Sequence, residues 1–175
     1  IYTTTDTLSL HDALPISFVL AGRLERVVEL ANERLALMGS GRYRLLHSDA
    51  REGAKRSGLG LRVEDQWTGR SRETTTLSGG ESFMASLALA LGLADAVREE
   101  SGGADMQTLF IDEGFGTLDE ESLEQVMAVL DQLRDGGRSV GVVSHVADLR
   151  ARIPTQLRVL KAADGSTVEL VDGVA

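Results

Sequence analysis

The 175-residue sequence predicts an α/β fold: a mostly parallel sheet flanked by helices, with a long N-terminal helix and a C-terminal β-hairpin. Three observations predict it. Two short apolar runs, "TLFID" (108–112) and "SVGVVSH" (139–145), are separated by a helical pattern over 120–135. A longer helical pattern over 80–99 precedes the first run. Near the end of the chain, "LRVLKAADGSTVELV" (157–171) places two strand-like segments around the turn pair Asp164-Gly165. Apolar strands that alternate with helices build parallel sheets covered on both faces, with antiparallel pieces at the margins.

Composition narrows the class. Hydrophobic residues make up 42% of the chain, enough for one domain with a sizeable core. Cysteine is absent, which excludes a disulfide framework and thiolate metal sites. No apolar run approaches the roughly 18 residues of a membrane span, and no basic-then-apolar leader opens the chain; a cytoplasmic protein with no membrane partner is expected. The net charge of −9 and pI of about 4.8 argue against a dedicated basic nucleic-acid module. They leave room for an enzyme that reaches DNA through other parts of an assembly. The chain begins at Ile1 and is read as a piece of a longer protein.

Residues 1–16, "IYTTTDTLSLHDALPI", are threonine-rich, contain Pro15 and lack a period; they are read as a non-native or disordered leader outside the fold. Residues 17–41 form the next segment. Leu24, Val28, Ala31, Leu35 and Met38 lie alternately four and three apart, a seam that suits the end of a coiled coil and an ordinary amphipathic helix equally. Gly39 and Gly41 stop this helix, expected over 18–38. Residues 42–175 form the main unit. It starts with strands "RYRLLHS" (42–48) and "LGLRVEDQW" (59–67), joined by a solvated loop carrying Arg51, Lys55 and Arg56, with Trp67 as a packing residue. Phe83, Met84, Leu87, Leu89, Leu91, Leu93 and Val97 bury the helix over 80–99. Leu123, Val126, Met127, Leu130 and Leu133 share one face of the helix over 120–135, and Gly136 and Gly137 end it.

Chemistry collects at three places. Asp112 and Glu113 follow an apolar strand directly, and in α/β sheets ligands gather beyond the carboxyl ends of strands. Asp112 suits Mg²⁺, a hard ion that takes few protein ligands. Glu113 can orient and deprotonate a water for attack on a phosphate. The plainer reading is that two acids end a strand and begin a polar loop. His145 ends the next strand, at the same expected sheet edge, where it can reach a phosphate oxygen. Asp119 is placed to cap the helix that follows, with Glu120 and Glu121 favoured by its dipole. Finally, Ser78 and Glu81 in "LSGGE" have capping-box spacing. Capping alone does not call for Gly79 and Gly80, but a helix tip without Cβ atoms lets unpaired N–H groups approach a phosphate.

Together these segments resemble the ABC-type ATPases. "LSGGE" (77–81) is similar to their signature motif, "TLFIDE" (108–113) to their Walker B strand, "GTLD" (116–119) to their D-loop and "VVSH" (142–145) to their switch histidine, in the family's order. "GESFMASLALALGLAD" resembles the SMC-like DNA-repair branch in particular. The resemblance is close over about 77–150 and loose in the flanks. It implies the C-terminal half of a P-loop ATPase head, with the helix over 18–38 as the foot of a returning coiled coil. Ser78, Gly79 and Gly80 would bind the γ-phosphate of an ATP held by the opposite head. Asp112 would serve Mg²⁺, Glu113 would be the general base, His145 the γ-phosphate sensor, and Asp119 an interface residue. ATP would join two heads as a homodimer, and hydrolysis would release them to control a partner nuclease on DNA ends. No GxxxxGK[ST] loop occurs in these residues; the family carries it in an N-terminal lobe of the same protein, so the chain alone is expected to be inactive. A transporter-type ATPase and a non-hydrolysing ABC-like DNA tether are the rival readings. The residues after the signature oppose the first, and Glu113 opposes the second.

Overall fold

The computed structural model describes residues 10–47, 60–102, 107–163 and 165–172, with side chains from residue 22 onward. The basic loop with Arg51, Lys55 and Arg56 lies outside the described residues.

Helix α1 spans Leu10–Met38, so it starts well before residue 18 and runs through Pro15. Pro15 is the sixth residue of that helix and has no N–H to donate to the preceding turn. The seam read from the sequence is real: Val28, Ala31, Leu35 and Met38 are buried and Leu24 packs beside them. Its partner lies within the chain. Helix α2, Gly79–Glu100, crosses α1 so closely that a Cβ on Gly92 would fall 2.6 Å from both Val27 O and Ala31 N. Ion pairs flank the crossing: Arg23 with Glu100 (3.3 Å), Arg26 with Glu99 (2.8 Å) and Arg34 with Asp95 (3.2 Å). Arg138 reaches the other oxygen of Asp95 at 2.6 Å, tying α1 and α2 to the chain ahead of the second central strand.

α2 is, among the described residues, a helix long and apolar enough to cross a membrane by composition alone. This differs from the expectation that no such run exists, because leucine and alanine raise the mean hydropathy while charged residues lie mostly toward the helix ends. Its Met84, Leu87, Ala88 and Leu91 are buried in the core, whereas Leu93 and Val97, expected inside, are exposed.

Strands β1 (Tyr43–His47), β2 (Leu61–Asp65) and β3 (Arg70–Glu73) form an antiparallel sheet in that order. The Asn32 side chain on α1 exchanges two hydrogen bonds with the Leu45 backbone (2.9 and 2.7 Å), satisfying that residue on the edge of β1. β3, "RSRE", escapes the sequence reading because it has no apolar alternation. Trp67 is 70% exposed rather than packed inside; the Arg42 guanidinium lies 4.7 Å from its ring centroid. Asp65 is buried, and burial pushes its carboxyl up. The Arg42 guanidinium and the Trp67 and Thr68 N–H groups outweigh that and hold it below the ordinary carboxylate range.

Strands β4 (Thr108–Asp112) and β5 (Ser139–Val143) run parallel, with Asp112 opposite Val143. Helix α3 (Glu120–Asp135) connects them and buries Leu123, Val126, Val129, Leu130 and Leu133. A short helix α4 (Ala147–Arg152) leads to the hairpin of β6 (Thr155–Ala162) and β7 (Gly165–Asp172). Ala162 pairs with Gly165, so Gly165, expected in the turn, already belongs to β7; Asp164 is outside the described residues. Parallel pairing among the described residues is confined to β4 and β5; the other pairings are antiparallel. The pair leaves Phe110 75% exposed, and the hairpin leaves Leu157 71% exposed, with Val159, Val168 and Leu170 on the same face. The face of the β4–β5 pair that carries Ile111 packs on the core, while the face that carries Phe110 is left uncovered among the described residues.

Gly92→Ala forces a methyl group into the α1 backbone. The denaturation free energy falls by about 1–3 kcal/mol, the usual cost of overpacking; an unchanged midpoint and slope would contradict the crossing.

Candidate functional site

β4 delivers Asp112 to its carboxyl end, where the side chain is exposed. Glu113 then leaves the strand at φ 59, a left-handed conformation uncommon for a residue with a Cβ. Its N–H donates to Val143 O at 2.9 Å, so the turn stays anchored to β5. That geometry brings its carboxylate beside His145, two residues past the end of β5. Nδ1 lies 3.1 Å from Oε2 and 3.3 Å from Oε1. A carboxylate accepts, so Nδ1 carries the proton in this pair. The sequence expectation that the acids and His145 share one edge is met for Glu113 and His145. Both side chains are exposed, open to a substrate.

The second part is the tip of α2. Ser78 is the N-cap with φ −65 and ψ 169, its Oγ accepting from the Glu81 N–H at 3.3 Å. Glu81 Oε2 accepts from the Ser78 N–H at 2.9 Å, closing the box. Because Ser78 Oγ is held as an acceptor, its own proton is free to donate outward. The N–H groups of Gly79 and Gly80 belong to the first turn and have no intrahelical acceptor.

The glycines have a further cause that the sequence reading missed. A Cβ on Gly80 would fall 2.9 Å from Thr117 O and 3.4 Å from Leu118 Cδ2, and one on Gly79 would fall 3.3 Å from the Thr117 side chain. The tip is therefore bare because residues 117–118 lie against it. Those residues end a single 3-10 turn, Phe115–Thr117, held by Thr117 Oγ1 donating to Gly114 O at 2.7 Å. Phe115 is buried edge-on against Phe83, with centroids 5.0 Å apart. One segment, 113–119, thus joins the acidic edge to the helix tip; among the described residues no hydrogen bond links the two parts directly.

Asp119 caps α3, its Oδ1 accepting from the Ser122 N–H at 2.7 Å. That N–H and the Ser122 hydroxyl hold its carboxyl below the ordinary range. Ser78, Gly80 and Asp119 line a cleft of about 290 Å³ together with Arg42 and Trp67.

The tip offers a phosphate unpaired N–H groups and a hydroxyl donor, while the Cβ positions of Gly79 and Gly80 face residues 117–118. The acidic edge fits Mg²⁺ only in part. Among the described residues no group of three or more acidic, His or Cys side chains converges. Asp112 would hold the ion with phosphate oxygens and ligands from elsewhere completing the shell, which is the habit of Mg²⁺.

A family model described as "SbcC/RAD50-like, Walker B motif" matches residues 49–132. The SbcC component of the nuclease SbcCD of Vibrio cholerae is 50% identical over 155 residues, covering 88% of this chain and 15% of that protein. The corresponding SbcC of Treponema pallidum is 47% identical over 153 residues, with 87% and 15% covered. The chain thus spans about 15% of the length of these curated relatives. Among solved structures, one described for ATP-driven dimerisation and DNA-stimulated activation of SMC ATPases superposes with a TM-score of 0.66 at 17% identity, covering 89% of each chain. The SMC head domain of Thermotoga maritima gives 0.57 at 18% identity, covering 90% of this chain and 52% of that one. The chain has the fold of the parts of these structures that it covers.

The lowered Asp119 carboxyl predicts a pH dependence. Stability from this cap is full above an unfolded pKa of about 3.9 and is lost as pH falls through the lower folded value. Asp119→Asn keeps a capping oxygen without a titrating group. Its unfolding free energy falls less steeply than wild type below about pH 4; identical acid limbs in the two proteins would contradict the assignment.

Proposed function

The chain belongs to the SbcC/RAD50-like family, and on that premise we propose that it is the C-terminal half of an ATPase head that dimerises on ATP. The observation that carries the proposal is Glu113: a carboxylate at the end of an apolar strand, in a left-handed turn, bonded by His145 at 3.1 Å. A strained, exposed base oriented by a histidine suits proton abstraction.

Bound MgATP supplies the phosphoanhydride to be cleaved and the cation that neutralises its charge. Asp112 holds the cation. Glu113 takes the proton of the attacking water, and His145 keeps the carboxylate turned to it. His145 donates to Glu113 through Nδ1, so it can donate to a phosphate oxygen as well only when Nε2 is protonated. Ser78 Oγ–H and the N–H groups of Gly79 and Gly80 bind the γ-phosphate of an ATP carried by a second head. Asp119, held against α3 by Ser122, lies at that interface. The GxxxxGK[ST] loop, absent from these residues, is assigned to an N-terminal lobe of the same protein. That lobe covers Phe110 and the apolar face of β6–β7, and α1 is the root of a coiled coil. The assembled dimer works in the cytoplasm with a nuclease partner, SbcD, on double-strand DNA ends.

In the intact protein, Glu113→Gln keeps ATP-dependent dimers by light scattering and lowers phosphate release about 10²- to 10⁴-fold. Phosphate release at the wild-type rate would remove Glu113 as the base. Ser78→Arg fills the tip and abolishes the dimers; dimers at an unchanged ATP concentration would contradict the contact between heads.

A further inference from the structure

The Glu81 carboxylate presents a difficulty for a phosphate site. It sits one residue beyond Gly80, on the tip that the proposed γ-phosphate approaches, and like charges repel. Three donors surround it. Ser78 N–H donates to Oε2 at 2.9 Å, Arg72 Nη2 donates to the same oxygen at 3.2 Å, and the Tyr43 hydroxyl donates to Oε1 in a short hydrogen bond. Arg72 also reaches back across the tip, its Nη1 donating to Thr76 O at 2.9 Å. It therefore clamps the segment entering the helix to the first turn of the helix. The Tyr43 ring lies beneath, 5.7 Å from the Arg72 guanidinium, and Tyr43 itself is buried.

These contacts leave traces in the titration of both partners. Burial pushes the Glu81 carboxyl up, but the bonds from Tyr43, Ser78 and Arg72 together hold it below the ordinary range. Burial first, and the Glu81 bond second, push the Tyr43 hydroxyl up to about 12. Glu81 is thus charged at neutral pH and compensated by Arg72. It lines the same cleft as Ser78 and Gly80, with both its oxygens engaged by protein donors.

Resting on the proposed reading of the tip as a γ-phosphate site, we infer that Tyr43 and Arg72 are positioning residues for it. They fix and neutralise Glu81, so that the phosphate meets Ser78 Oγ–H and the glycine N–H groups beside a compensated carboxylate rather than a free one. Neither touches the nucleotide. Neither is in the signature segment: Tyr43 is on β1, and Arg72 is on β3, a strand invisible to sequence pattern.

The test uses the intact protein, a non-hydrolysable ATP analogue with Mg²⁺, and light scattering to follow dimerisation; hydrolysis of ATP is measured in parallel. Arg72→Ala raises the analogue concentration for half-maximal dimerisation about 10- to 30-fold, the effect of losing a charge-assisted hydrogen bond. It raises KM for ATP similarly and leaves kcat at saturation within about twofold, because binding to the tip is weakened rather than the base. Arg72→Lys, which restores the charge, recovers most of the loss. Tyr43→Phe, which preserves the buried ring, gives a shift of about 3- to 10-fold. It carries the test if Arg72→Ala fails to fold by circular dichroism. Folded variants that dimerise at the wild-type analogue concentration, or lose kcat with KM unchanged, overturn the inference. If the wild-type protein itself does not dimerise on the analogue, the proposed function falls, and this inference with it.

Discussion

The site depends on one close approach, that of the α2 tip to the backbone of residues 117–118. Only a residue without a Cβ can stand at position 80, because Thr117 O occupies the space at 2.9 Å. The contact fixes the start of α2 against the segment that leaves β4, and that segment carries Glu113 at one end and Asp119 at the other. Phe115, buried against Phe83 of α2, holds the middle of it. A group gripping the tip and a group at the acidic edge therefore act on one mechanical unit. The same two glycines admit Thr117 and carry first-turn N–H groups at the tip.

From that unit the structure extends in two directions. Along α2, the packing of Gly92 on the α1 backbone and the ion pairs around it bind the tip to the long N-terminal helix. Dry backbone contact of this kind is stiff, since close-packed interiors transmit displacement rather than absorb it. At the other end, β4–β5 and the final hairpin present apolar side chains to solvent. In the proposed head this surface is internal, covered by the lobe that brings the phosphate-cradling loop.

Much of this is legible in the sequence, for physical reasons that differ by element. The strand over 108–112 and the helix over 120–135 match the structure residue for residue, because apolar runs and an N-cap acid are strong local signals. The capping box at Ser78 and Glu81 and the nearness of Glu113 to His145 are legible in the same way. Other features depend on contacts between distant residues, which leave no local pattern. β3 is polar throughout and is a strand only because β2 lies beside it. Trp67 is exposed because Arg42 and the Asp65 turn hold it at the surface. The partner of the α1 seam, the second cause of the glycine pair, and the hold of Tyr43 and Arg72 on Glu81 are equally non-local. The expected parallel order is carried, among the described residues, by the single pair β4–β5.

The central claim is that the bare tip of α2 grips a nucleotide supplied by another molecule. The most direct measurement is a crystal structure of the intact protein with Mg²⁺ and a non-hydrolysable ATP analogue. The account predicts the terminal phosphate of one molecule within about 3 Å of the Gly79 and Gly80 nitrogens of its neighbour, the span of an N–H to oxygen hydrogen bond. A triphosphate bound with that tip facing solvent, or packed on protein alone, would contradict it.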